Sequence, residues 1–209
     1  MTVTTIEEVL RAASVIPVLE VAALDAAAPL AGALAAGGLR VAELTLRTDC
    51  ALEALAAMRE AAPDLIVGMG TIRTPGDVER SLAAGAAFLV SPGADARLLS
   101  ALADSGAPAL PGVATASEAM TAAAAGHRAM KFFPAEPAGG IAYLKSLAGP
   151  LPDIAFCPTG GISAERAPDY LALSNVACVG GSWIASKAMI AGGEWDAITA
   201  NARRAAAMK

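Results

Sequence analysis

Residues 35–45, "AAGGLRVAELT", run from an alanine-rich segment through a glycine pair into an alternating apolar stretch. The same phrase returns as "AAGAAFLVSPG" (83–93) and "AAGHRAMKFFPA" (124–135). In each, small helix-forming residues stop at glycine, which closes helices because it tolerates the left-handed backbone region, and a strand-like run follows after a short turn. A helix end that leads into a strand, repeated along the chain, is the βα unit of a parallel sheet and not a solenoid repeat.

Working outward from these phrases, the strand-like runs are "SVIPVLEV" (14–21), "VAELTL" (41–46), "LIVGMGT" (65–71), "FLVSPG" (88–93), "PALPGVA" (108–114), "RAMKFFP" (128–134), "IAFCPTGG" (154–161) and "VACVGGS" (176–182), eight in all. Helices are expected over 49–62, 74–84, 94–105, 115–125 and 163–173, several opening at Asp, Thr or Ser and several closing at Gly. Eight strands with intervening helices predict an α/β (β/α)8 barrel of the TIM type, with the segment before the first strand as an extra N-terminal helix at its base. A doubly wound sheet is the alternative, but it would carry a glycine fingerprint after its first strand, where this chain has "AALDAAAP". The glycines cluster instead after later strands, at the ends where barrel active sites are built.

No linker or charge block divides the 209 residues, so 1–209 is read as one domain. Apolar residues make up 56% of the chain and charged ones 17%, which excludes a disordered polymer, and no run approaches the roughly 18 apolar residues of a membrane span. Glu7 and Glu8 stand where a signal peptide would be basic, so a cytoplasmic protein is expected. The net charge of -5 without a basic run argues against nucleic acid and anionic membranes as partners, leaving a small-molecule substrate. Three cysteines without metal spacing read as reduced structural thiols. The single histidine, His127, begins a strand away from the expected mouth, so neither a multi-histidine metal site nor a Ser-His-Asp triad is available, and no metal or cofactor is expected.

Lys131, one of four lysines, lies inside the strand-like "HRAMKFFPAE" (127–136). Burying an unpaired ammonium there would cost on the order of several kcal/mol. Period-two alternation sets Ala129, Lys131 and Phe133 on one face and Met130 and Phe132 on the other. One reading is a lysine snorkelling outward to water. The other is an inward amine near the strand end, held neutral by desolvation and a nearby positive charge, and nucleophilic toward a carbonyl. In "VAELTLRTD", Glu43, Thr45 and Arg47 share a face. Glu43 and Arg47 are there either a structural ion pair, or a general acid/base and a bidentate clamp for a substrate carboxylate. Thr71 closes "GMGT" as a further carboxylate donor or as a helix-proximal cap. The turns "PTGGIS" (158–163) and "GGSW" (180–183) follow the last two strands, where close backbone approach and helix N-termini suit phosphate.

With these residues in place, the chain resembles the class I aldolases acting on 2-keto-3-deoxy-6-phosphogluconate, the Entner-Doudoroff family that also cleaves 4-hydroxy-2-oxoglutarate. The resemblance runs from "VIPVLEV" to "GGSWIA" and rests on "GGLRVAELTLRT", "IVGMGTI", "FLVSPG", "LPGVATASE", "KFFPAE", "FCPTGGIS" and "CVGGSW". It implies that Lys131 forms the Schiff base, Glu43 moves protons, and Arg47 and Thr71 hold the pyruvyl carboxylate. It further implies that Pro92 and Phe133 wall the pyruvyl methyl, Thr159 faces the sugar hydroxyls, and Gly160, Gly161, Gly181 and Ser182 receive the phosphate. A homotrimer is implied on the same ground. One departure is Glu20, where some relatives carry a basic residue; pointed inward, it would favour the ammonium form of Lys131 and weaken the account of a neutral amine. The competing readings are an aldolase for the galactonate epimer, a non-catalytic phosphosugar-binding barrel, and a barrel isomerase that uses Glu43 without Lys131.

Overall fold

The computed structural model describes residues 4–208; residues 1–3 and 209 of the expected single domain lie outside the described part. In chain order the elements are α1 (Ile6–Arg11), β1 (Val15–Leu19), α2 (Ala27–Ala36), β2 (Val41–Thr45), α3 (Ala51–Ala61), β3 (Ile66–Gly70), α4 (Pro75–Ala83), β4 (Leu89–Val90), α5 (Ala96–Asp104), β5 (Ala109–Leu110), β6 (Gly112–Val113), α6 (Ala116–Ala124), β7 (Ala129–Phe132), α7 (Gly140–Leu147), β8 (Ala155–Pro158), α8 (Ala167–Leu171), β9 (Val179–Gly181), α9 (Lys187–Ala191) and α10 (Trp195–Ala206). Each of the eight expected runs contains a strand. The fifth is split in two at Pro111, which has no N–H to give a ladder.

The helix boundaries follow from local chemistry. Thr74 with Asp77 and Thr115 with Glu118 form capping boxes at the starts of α4 and α6, and Asp95 caps α5. In the three repeated phrases Gly38, Gly85 and Gly126 take φ of 86°, 89° and 97°, the left-handed turn by which the chain leaves a helix for a strand. Three expected helices start two or more residues later than predicted: α3 opens at Ala51 with no side-chain cap, α5 at Ala96 behind its Asp95 cap, and α8 at Ala167 after a turn at Ser163.

Every strand pairing is parallel. One sheet has the order β5-β4-β3-β2-β1-β9 and the other β6-β7-β8. The sheets adjoin at both ends, through Pro111 between β5 and β6 and through parallel bridges Phe156↔Val176 and Thr159↔Gly180 between the β8 and β9 segments. Side-chain alternation divides the core in two. One face gathers Ile16, Val41, Ile66, Leu110, Ala129 and Cys157 around Val9 and Leu10 of α1. Val41, Ile66 and Ala129 begin their strands, so α1 lies across the N-terminal strand ends, as the extra base helix was expected to do. The other face carries Leu44, Met69, Met130, Phe132 and Phe156 into the surrounding helices. Each such fully buried large side chain contributes about 1.5–3 kcal/mol relative to exposure. Among the described residues no helix is long and apolar enough to cross a membrane.

Candidate active site

Lys131 sits in β7 between Gly112 of β6 and Cys157 of β8, with its amide donating to the Pro111 carbonyl at 2.9 Å. The residue is only 4% exposed, which removes the snorkelling alternative. Its ammonium donates to Glu43 Oε1 at 2.9 Å and to Oε2 at 3.3 Å. Glu43 is equally buried in the middle of β2, between Val18 of β1 and Gly68 of β3. The carboxylate fits there because Gly70 has no side chain: a Cβ on Gly70 would overlap Glu43 Oε1. The Phe133 ring centroid lies 5.4 Å from Lys131 Nζ, so a π face covers the amine on a second side.

This pairing corrects the expectation that a nearby positive charge holds Lys131 neutral: the charged group against the amine is a carboxylate. It also corrects the Glu43–Arg47 alternative. The chain turns out of the sheet after Thr45, where the Arg47 amide donates to the Thr45 carbonyl at 2.9 Å. Arg47 therefore stands past the strand, half-exposed, instead of continuing the Glu43 face. Its Nε donates to Thr71 Oγ1 at 3.0 Å, and its guanidinium lies 3.8 Å from Glu20. Thr71 has φ of 62°, a left-handed conformation that strains a β-branched residue. Such strain persists where surrounding structure imposes it, here in a hydroxyl aimed at the Arg47 fork. Glu20 pairs with Arg47 and, at 2.6 Å, with Lys187, so this acid is engaged by two cations other than Lys131.

Pro92 packs its backbone against Gly112, the strand neighbour of Lys131. Thr159 follows β8 with its side chain over Gly180, and its hydroxyl donates to the Cys157 carbonyl at 3.4 Å. The Gly160 carbonyl accepts from the Glu136 amide at 3.0 Å, which holds this turn beside the one that follows β7. Ser182 opens onto a cavity of about 330 Å3, shared with Glu20, Thr45, Arg47 and Lys187. Neither glycine turn leads directly into a helix: α8 begins at Ala167 and α9 at Lys187, each only one short turn long, so the helix N-termini expected behind the phosphate are not there. The Cβ direction of Gly161 is filled by Glu136 at 2.9 Å, and that of Gly181 by the Trp183 ring. An alanine at either position would meet protein atoms before it met an anion.

On the strand next to Lys131 lies Cys157, and hydrogen-bonded to it Cys178, both free thiols. The hydrogen bond with Cys157, complete burial and the Glu43 charge push the Cys178 thiol well up, so it stays protonated and inert. His127 contacts the Leu99 carbonyl at 3.3 Å in the turn before β7, at the opposite end of the strands from Arg47 and Ser182, which follow β2 and β9. Among the described residues no group of three or more His, Cys, Asp or Glu is placed to hold a metal ion. Lys187 lines the cavity that Ser182 opens onto, although sequence reasoning did not place it there. Its rarity in a chain with four lysines, five positions after Ser182, was the available signal.

Comparison with known proteins gives the family. The family model described as "KDPG and KHG aldolase" matches residues 6–201. A 2-dehydro-3-deoxy-phosphogluconate aldolase of Dickeya dadantii is 48% identical, over 98% of this chain and 96% of the relative. A KHG/KDPG aldolase of Escherichia coli K12 is 45% identical, over 97% and 95%. The crystal structure of a KDPG aldolase from Legionella pneumophila, with pyruvate captured as a covalent carbinolamine, superposes with a TM-score of 0.95 at 45% identity, covering 98% of this chain and 99% of that one. On this likeness, which spans nearly its whole length, the chain belongs to the KDPG and KHG aldolase family.

Proposed function

We propose that the chain is a class I aldolase that cleaves 2-dehydro-3-deoxy-6-phosphogluconate to pyruvate and glyceraldehyde 3-phosphate, and 4-hydroxy-2-oxoglutarate to pyruvate and glyoxylate, through an imine at Lys131. The observation that carries this reading is the buried Lys131 amine 2.9 Å from the Glu43 carboxylate. One proton passed from the ammonium to Glu43 frees the nitrogen lone pair, which attacks the C2 keto carbon to give a carbinolamine. Glu43 returns a proton to the departing hydroxyl, water leaves, and a protonated imine remains. Glu43, directly or through a water, then takes the proton of the C4 hydroxyl. The C3–C4 bond breaks, its electron pair enters the imine to form an enamine, and the aldehyde departs. Protonation at C3 and hydrolysis release pyruvate and restore Lys131. The imine is the electron sink, so the reaction as written uses no metal or cofactor.

Arg47 and Thr71, joined at 3.0 Å, are assigned to the pyruvyl carboxylate, Pro92 and Phe133 to its methyl group, and Thr159 to the sugar hydroxyls. The turns at Gly160, Gly161, Gly181 and Ser182 are assigned to the phosphate, held by backbone amides and one hydroxyl. We further infer one domain over residues 1–209 in which the strands close as a (β/α)8 barrel; the chain continuity at Pro111 and the two bridges from β8 to the β9 segment support closure. A homotrimer in the cytoplasm completes the reading, the latter supported by three unpaired thiols. The galactonate epimer is the less favoured substrate, because the curated relatives named above carry the gluconate activity. A coupled assay of pyruvate release from both proposed substrates tests the function. Release from the phosphorylated sugar acid, lost in Lys131→Met, is expected; turnover in that variant would overturn the mechanism.

A further inference from the structure

Glu20, Arg47 and Lys187 form a second charged cluster, just past the C-terminal ends of β1, β2 and β9. Glu20 is mostly buried, with 18% of its side chain exposed, and binds Lys187 at 2.6 Å while lying 3.8 Å from Arg47. All three line the cavity of about 330 Å3 that Ser182 also enters. Two cations against one carboxylate leave a positive charge unmatched at the wall of the proposed substrate site. Of the three donors on the Lys187 ammonium, Glu20 takes one and two remain free for an incoming acceptor.

The chain places this ammonium deliberately. The Asn201 side chain on α10 donates to the Ile184 carbonyl at 3.1 Å and the Trp183 carbonyl at 3.4 Å, which fixes the segment running from Ser182 to Lys187. Ser186 caps α9 by accepting from the Met189 amide at 3.2 Å. Lys187 is thus carried on the same anchored turn as Ser182, whereas Arg47 is joined to Thr71 at the opposite, β2–β3 side of the cavity. Building on the aldolase reading above, we propose that Lys187 is a further specificity-determining residue, a side-chain ligand for the substrate phosphate that Glu20 holds at the cavity wall. A phosphate dianion at the far end of the six-carbon sugar acid gains more from this cation than the single carboxylate that sits directly on C4 of 4-hydroxy-2-oxoglutarate, so Lys187 separates the two substrates.

The test compares steady-state cleavage of both substrates by the full chain, with inorganic phosphate as competitive inhibitor. Lys187→Met is expected to raise KM for the phosphorylated substrate and Ki for inorganic phosphate by roughly tenfold each, with kcat changed much less, as for loss of one charged hydrogen bond. Lys187→Arg, which keeps the charge, is expected to recover most of both. The Lys187 side chain is 72% exposed, so these variants should fold. Unchanged KM and Ki in Lys187→Met, or equal losses on both substrates, overturn the proposal while the aldolase reading stands. A wild-type chain that cleaves neither substrate overturns both.

Discussion

Breaking the Lys131–Glu43 pair from either side should be far more damaging than removing both partners together. Two unit charges 2.9 Å apart attract by about 6 kcal/mol at an effective dielectric of 20, and this offsets the cost of holding both groups out of water. Each side chain is 5% exposed, so neither charge can recover hydration when its partner is lost. Lys131→Met strands a carboxylate between β1 and β3, and Glu43→Gln strands an ammonium beneath Phe133; each is expected to lower the unfolding free energy by about 3–5 kcal/mol. The double variant leaves no buried charge, and its loss should fall below the sum of the singles by at least about 2 kcal/mol. Urea unfolding of the four proteins at neutral pH, followed by circular dichroism, measures this directly. Additivity of the two singles within about 0.5 kcal/mol would refute the argument that the pair is a mutually dependent buried unit.

In catalysis, Glu43→Gln should slow carbon-carbon cleavage by roughly 10²-fold to 10⁴-fold while some imine still forms, read by single-turnover kinetics beside pyruvate trapping. Wild-type cleavage in that variant would remove Glu43 from the mechanism. Ser182→Ala should weaken use of the phosphorylated substrate by about 1–3 kcal/mol and affect 4-hydroxy-2-oxoglutarate less, measured as the ratio of kcat/KM values. At the start of α6, hydrogen bonds from the Ala114 amide and from Thr115 hold the Glu118 carboxyl below its ordinary 4.5. A lowered carboxyl stabilises the fold above its unfolded value and loses that contribution as pH falls through the folded one, so Glu118→Gln should flatten the loss of Tm below about pH 4.5. An unchanged acid limb in the variant would count against this cap.

The residues that were legible in the sequence are those whose behaviour follows from local periodicity. Alternation in "AMKFF" separated Lys131 and Ala129 from Met130 and Phe132, and the two core clusters keep that division. The repeated helix-end glycines marked where strands begin. What eluded the sequence depends on contacts between distant segments. The partner of Lys131 lies 88 residues away, and only the lateral order of β2 and β7 decides that the amine meets an acid instead of a cation. Arg47 follows period two on paper, but the turn at Thr45 removes it from the strand before that period can apply. The glycines of the two late turns read as positions where an added Cβ would meet only an incoming anion, yet at Gly161 and Gly181 the Cβ direction already faces Glu136 and Trp183. Glu20 and Lys187 show no pairing in sequence because the first strand meets the last only in the folded sheet, where β1 lies beside β9.

The most direct test of the account is covalent capture of its intermediate. Incubation with pyruvate and sodium borohydride, then intact mass and peptide mapping, should add one reduced pyruvyl group per chain on the peptide carrying Lys131. Lys187 and Lys145 should remain unlabelled, and chelation beforehand should leave the yield unchanged. Attachment at another lysine, or no attachment by a chain that cleaves the phosphorylated sugar acid, would contradict the assignment of Lys131 as the Schiff-base amine.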